Sequence, residues 1–247
     1  MGTNAKVEVH NLTKKFGDLL VLDNISFDIE DGDLFCVVGP TGCGKTTFLN
    51  TLTKIYDINS GEILLDGKPV NPRVNDIAYI FQGDSTMPWL TVEKNVGFGL
   101  GIKKVPKDKK KELVDKYLDI VGLTKYRNYY PNQLSSSMLQ RVSIARAFAT
   151  EPELLLMDEP YGQLDIDLRF KLEDELVKLW KLTKTTIIFI THNIEEAVYL
   201  GNKIMVLTNK PTTVKTTIND DLPRKRDITS PEFVDLRNKV TELIKWW

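Results

Sequence analysis

The chain has 247 residues, large for one simple domain and small for two independent ones, so one compact domain with a sizeable insertion is expected. Hydrophobic residues make up 42% and charged residues 27%, ordinary for a globular protein, and a formal net charge of -1 lacks the basic excess of a dedicated nucleic-acid binder. No stretch approaches the roughly 20 apolar residues of a membrane-spanning helix. Met1 to Val9 is short and polar, so no cleavable signal is expected. Cys36 and Cys43 have neither metal-site nor redox-pair spacing, which points to a reducing cytoplasm rather than a disulfide.

In chain order, Val7 to His10, Ile25 to Ile29 and Leu34 to Val38 read as strands, the third apolar throughout and so expected to be buried on both faces. A glycine-rich turn leads to a helix over Lys45 to Lys54. Strands over Gly61 to Asp66 and Ile77 to Phe81 follow, with Asp66-Gly67 as a turn. A helical block comes next, with helices over Val92 to Leu100, Asp108 to Val121 and Ser137 to Thr150. After Pro152, strands (Leu154 to Met157, Thr186 to Ile190, Lys203 to Leu207) alternate with helices (Asp167 to Leu182, Ile194 to Leu200). That alternation predicts a mainly parallel sheet with helices on its faces. A last amphipathic helix is expected over Pro231 to Lys245, with Trp246 and Trp247 closing the chain as a sticky end or a packing cap. The basic clusters Lys103-Lys104, Lys107 to Lys111 and Arg224 to Arg226 sit among prolines and acids and read as solvated loops.

Two motifs carry chemistry. Gly39-Pro40-Thr41-Gly42-Cys43-Gly44-Lys45-Thr46, followed by Thr47, matches the phosphate-binding loop, and it lies between a buried strand and a helix, the context that confirms such a match. Glycines let successive backbone N–H groups curl toward phosphate oxygens, and the helix adds its positive N-terminus. Lys45 is placed to reach the β- and γ-phosphates of ATP, and Thr46 to hold Mg²⁺. Cys43 lies inside the loop, where N–H groups would lower its pKa, although a small tolerated side chain is the plainer reading. The second motif, Leu154 to Pro160, is an apolar strand ending in two carboxylates. Asp158 is expected in the Mg²⁺ shell and Glu159 beside the attacking water.

With both motifs in place, the chain resembles the nucleotide-binding subunits of ABC transporters over nearly its whole length. Gln82 matches the family's glutamine loop, which contacts Mg²⁺ and water. Tyr161-Gly162-Gln163-Leu164-Asp165 matches its D-loop, Thr191-His192-Asn193 its switch histidine, and Phe16 the aromatic that stacks on adenine. The family signature Leu-Ser-Gly-Gly reads Leu134-Ser135-Ser136-Ser137 here, with both glycines replaced. In the family this segment holds the ATP of the opposite subunit through backbone N–H groups. Serine keeps the N–H and caps helices well, but it is bulkier and tolerates unusual φ less well than glycine. Either the hydroxyls join the phosphate cradle, or the composite site is weakened and turnover slows.

The resemblance implies an α/β fold: a P-loop NTPase core with a mainly parallel sheet, an N-terminal antiparallel β subdomain and an inserted helical subdomain. All of 1–247 is then one nucleotide-binding domain, with 1–82 and 151–247 as core and 83–150 as the helical subdomain. It also implies a second nucleotide-binding subunit, in the simplest case a homodimer, with transmembrane permease subunits and an extracytoplasmic substrate-binding protein. The place is the cytoplasmic face of the cell membrane, peripherally, with no nucleic acid partner. Met87-Pro88-Trp89-Leu90-Thr91-Val92 is similar to the nitrate, sulfonate and taurine importers. So are Leu176 to Trp180, Asn193 to Leu200 and the tail from Asp221 to Phe233. Core packing is the plainer reading of Trp89 and Trp180. The competing classes are a binding-only or slow-turnover subunit and a non-transport ABC ATPase.

Overall fold

The computed structural model describes residues 5–83, 85–162 and 164–244; Gln163, Lys245, Trp246 and Trp247, named above, lie outside the described residues. In chain order the strands and helices are β1 (Ala5–Phe16), β2 (Leu19–Glu30), β3 (Leu34–Val38), α1 (Lys45–Leu52), β4 (Ser60–Leu65), β5 (Lys68–Pro69) and β6 (Ile77–Ile80). The helical stretch holds α2 (Val92–Val96), α3 (Phe98–Ile102), α4 (Lys107–Ile120) and α5 (Ser136–Ala149). Then come β7 (Leu154–Asp158), α6 (Ile166–Thr183), β8 (Thr186–Thr191), α7 (Ile194–Leu200), β9 (Lys203–Leu207), β10 (Val214–Asn219) and α8 (Pro231–Ile244). The chain forms two compact units, residues 5–75 with 184–244, and residues 76–183.

In the first unit, β1 and β2 run far beyond their apolar centres and pair antiparallel, as do β1 and β4. Their inward residues Val7, Val9, Leu12, Leu22, Ile25 and Ile29 are buried. Phe27 joins this sheet to β3 and α1, stacking on Phe35 at 5.6 Å and meeting Phe48 edge-on at 5.4 Å. In the second sheet β3 lies between β8 and β9, parallel to both, and all five of its residues are buried. The strand β10 adds antiparallel to β9; its alternating Lys215-Thr216-Thr217 hides it from an apolar-run search.

The cluster Arg224 to Arg226 is not a solvated loop. The Arg224 guanidinium donates to the carbonyls of Tyr199 (2.7 Å) and Leu200 (2.5 Å), and buried Arg226 donates to those of Val198 (2.5 Å) and Gly201 (2.7 Å). Together they satisfy the last carbonyls of α7, which no intrahelical N–H can reach. Burial lowers both guanidinium pKa values, that of Arg224 to about 10.

In the second unit, β6 and β7 pair in parallel and α5 packs against α2, α3, α4 and β6. The single helix expected over Val92 to Leu100 is two helices, because Gly97 ends α2 at φ -78°, ψ 0°. Glycines at 97, 99 and 101 give that stretch little helical drive of its own. Lys107 to Lys111, expected as a loop, form the exposed first turns of α4. Buried Asn95 accepts the Met87 N–H at 2.8 Å and donates to the carbonyls of Met87, Leu90 and Thr91, so the turn before α2 is held rigidly. Trp89, on that turn, is 73% exposed and does not pack in the core.

Candidate functional site

The phosphate loop hangs from the buried end of β3. Gly42 (φ +77°) and Gly44 (φ +119°) adopt backbone conformations that side chains resist, and these let the loop curl. Gly44 also precedes α1 and has no side chain with which to cap it, so the first turn of α1 suits an anion. Lys45 is buried, its Nζ donating to Gly39 O at 2.9 Å and Pro40 O at 3.1 Å. Thr41, Gly42 and Thr46 are exposed, while Thr47 is half-buried. Burial pushes the Cys43 thiol above its ordinary range, Lys45 opposing more weakly, so the loop does not make it an activated nucleophile.

Three further groups of the first unit bear on the site. Phe16, at the end of β1, meets Tyr56 edge-on at 5.1 Å, and the Lys14 ammonium lies 4.7 Å from the Phe16 ring centre. His192 is exposed between β8 and α7. Its neighbours are fixed: Thr191 Oγ1 donates to Glu196 and accepts from the Asn193 N–H at 2.9 Å, while the Asn193 side chain caps α7 at Glu195 N and Glu196 N.

The second unit gathers the rest. Asp158 ends β7, 4% exposed, and accepts from the Tyr79 hydroxyl at 3.4 Å. Glu159 follows at φ +45°, a costly conformation for a residue with a side chain, and such strain persists where surrounding structure enforces it. Gly83, Ser136, Gln140, Glu159, Pro160 and Gly162 border one cavity of about 70 Å³, room for a few waters. Gln82 is exposed beyond the end of β6. Ser135 caps α5, accepting from Met138 N at 3.4 Å, with its Oγ 3.0 Å from Ser137 Oγ. Ser136 is the first helical residue, with no positive φ. Asp165 caps α6 through the Leu168 N–H at 2.9 Å.

The predicted residues therefore fall into two constellations. The first holds Phe16, the loop Gly39–Thr47 and His192; the second holds Gln82, Ser135 to Ser137, Asp158, Glu159 and Asp165. Among the described residues, no group of three or more His, Cys, Asp or Glu could hold a metal ion. Mg²⁺ is usually held by one or two carboxylates or hydroxyls with substrate oxygens and waters, and so does not need such a cluster. Sequence reasoning missed Tyr56, Tyr79, Glu196 and Thr212. The signal for Tyr79 was its place two residues before Phe81, on whose ring it stacks at 4.2 Å.

The ABC transporter family profile matches residues 22–162. An uncharacterized ABC transporter ATP-binding protein of Methanocaldococcus jannaschii is 43% identical over 244 residues, 97% of this chain and 91% of that protein. The aliphatic sulfonates import ATP-binding protein of Bacillus cereus is 40% identical over 235 residues, 95% of this chain and 92% of that protein. Among solved structures, CbiO1 of Clostridium perfringens, part of the CbiONQ ABC transporter complex, superposes with a TM-score of 0.80 at 26% identity, covering 88% of this chain and 89% of that one. A dimeric ATP-binding cassette in a post-hydrolysis state, bound to ADP and Pi, gives 0.76 at 29% identity over 88% of this chain and 100% of that one.

Proposed function

This chain belongs to the ABC transporter family as an ATP-binding, ATP-hydrolysing subunit, and we propose that it energises an importer of small sulfonate-like anions or organics. The observation that supports the solute class is its 40% identity with an aliphatic sulfonates import protein across 95% of its length.

In the mechanism we propose, the triphosphate draws the Lys45 ammonium from the Gly39 and Pro40 carbonyls, and loop N–H groups take its oxygens. Phe16 stacks on adenine. Thr46, Asp158 and Gln82 would hold Mg²⁺, which would neutralise charge on the phosphate oxygens. Glu159 accepts a hydrogen bond from the attacking water, and His192 steadies the γ-phosphate. Ser135 to Ser137 and Asp165 serve the ATP of a second copy, so ATP bridging two subunits favours a closed dimer, and hydrolysis removes the bridge. Residues 83–150 act as the helical subdomain.

The partners belong to the same reading: membrane permease subunits, an extracytoplasmic substrate-binding protein, and a place on the cytoplasmic face of the membrane. Among the described residues no helix is long and apolar enough to cross a bilayer. The permease contact we favour is an open groove of about 890 Å³ lined by Trp89, Phe98 and Ile102. Lys94, Lys107, Lys110 and Lys111 border it against one acid, Glu93, which suits an apolar segment flanked by carboxylates.

Mg-ATP turnover by the purified chain across protein concentration, beside Glu159→Gln, tests the motor. Turnover steeper than linear that vanishes in the variant supports a homodimeric ATPase. ATP binding without turnover in either protein favours the slow-turnover reading that Ser136 and Ser137 keep open. Sulfonate uptake that persists in cells lacking the chain would overturn the solute class. Co-purifying nucleic acid instead of membrane subunits would overturn the transport reading.

A further inference from the structure

Thr212 lies between β9 and β10, carries no motif, and is fully buried at 0% exposure. Its backbone N–H donates to Val21 O at 2.9 Å and its carbonyl accepts from Asp23 N at 2.8 Å, a short bridge to β2. Its hydroxyl donates to the backbone carbonyl of Cys43, inside the phosphate loop. From this geometry we infer that Thr212 is a positioning residue for phosphate binding, orienting the Cys43–Gly44 peptide. The inference rests on the ATP-binding reading of that loop.

A trans peptide points its carbonyl and the following N–H in opposite directions. With the Cys43 carbonyl held on Thr212, the Gly44 N–H faces away from it, presented as a donor. A flipped peptide would offer an acceptor in its place, and an acceptor repels phosphate. Gly44 itself cannot enforce the orientation, since at φ +119° glycine moves with little restraint. The loop is also pressed onto the strand that Thr212 grips: a Cβ on Gly44 would stand 2.9 Å from Val21 Cγ1. Because β2 pairs with β1 up to Phe16↔Leu19, one backbone bridge ties the phosphate loop to the strand carrying the aromatic platform.

The test compares Thr212→Val, which keeps shape and loses the hydroxyl, with Thr212→Ser, which restores it. Calorimetry would use ATP, pyrophosphate and adenosine as separate probes, beside steady-state turnover. Expected is a fivefold to tenfold weakening, roughly the scale of one hydrogen bond, for ATP and pyrophosphate but not adenosine. The loss should enter KM rather than kcat, with Thr212→Ser close to the parent. Parent-like ATP binding by Thr212→Val, an equal loss for adenosine, or no rescue by serine would overturn the inference. Thr212→Ala carries the same expectation should Thr212→Val not fold. A parent chain that binds no ATP would instead sink the functional reading on which this one stands.

Discussion

The hydroxyl of Thr191 donates to the carboxylate of Glu196 at 2.5 Å, closing a loop of chain that has exposed His192 inside it. Both partners are buried, at 1% and 4% exposure. Truncating Glu196 leaves the Thr191 hydroxyl without this acceptor, at about 1–3 kcal/mol. It also frees the backbone next to His192. Glu196→Ala should therefore lower thermal stability and reduce kcat for ATP more than it raises KM, because the role proposed for the histidine is on the γ-phosphate rather than on the bulk of the nucleotide. Glu196→Gln, which still accepts from Thr191, should recover most of both. A kcat equal to the parent's in Glu196→Ala would show that His192 does not depend on this brace.

Of the signature serines, Ser135 caps α5 in extended backbone, Ser136 and Ser137 are helical, and none has a positive φ. The freedom that glycine offers is thus not used at Ser136 or Ser137. Ser136→Gly with Ser137→Gly should change Mg-ATP turnover less than about threefold and cost about 0.5–1 kcal/mol per glycine in stability, the usual helical penalty. A turnover gain of tenfold or more would show that the serine side chains obstruct the composite site.

The parts of the fold that were legible in the sequence are those with period or punctuation. Leu34 to Val38 read as a two-sided buried strand because every residue is apolar, and it is one. The helix Ile194–Leu200 and the strand Lys203–Leu207 were read to the residue, each bounded by clear caps or turns. The strand Val214–Asn219 was missed because it lies at a sheet edge and exposes Lys215 and Thr217. Arg224 and Arg226 were misread because helix-capping needs a carbonyl end in space, which charge patterning along the chain does not display. Of the site, the groups proposed to touch phosphate stood in motifs. The groups proposed to orient them, Thr212, Glu196 and Tyr79, meet their hydrogen-bond partners from 169, 5 and 79 positions away and belong to no motif.

Cys43 offers a check on the electrostatics of the loop. Burial raises its pKa, and the nearby Lys45 charge opposes this without overcoming it. The thiol is then protonated at neutral pH, and its alkylation by iodoacetamide should still be climbing at pH 9. At pH 8 the rate should lie below that of a free thiol with an ordinary pKa. A rate that levels off below pH 8 would mean that the loop amides stabilise the thiolate after all.

The ion pair of Arg226 and Asp220 gives a prediction whose sign is set by burial. The two groups stand 3.0 Å apart, with Asp220 at 4% and Arg226 at 7% exposure. Burial holds the Asp220 carboxyl above its ordinary range even though Arg226 pulls it down. Arg226→Met removes that pull, so the carboxyl rises further. A carboxyl whose folded pKa exceeds its unfolded one contributes stability below the unfolded value and loses it as pH climbs through the folded value. The variant should accordingly lose about 3 kcal/mol at pH 8, the scale for stranding one member of a buried pair, and distinctly less at pH 5. Urea melts at the two pH values measure the difference. Equal losses at both would mean that Arg226 matters only through the α7 carbonyls it satisfies, and that the charge on Asp220 is of no consequence to the fold.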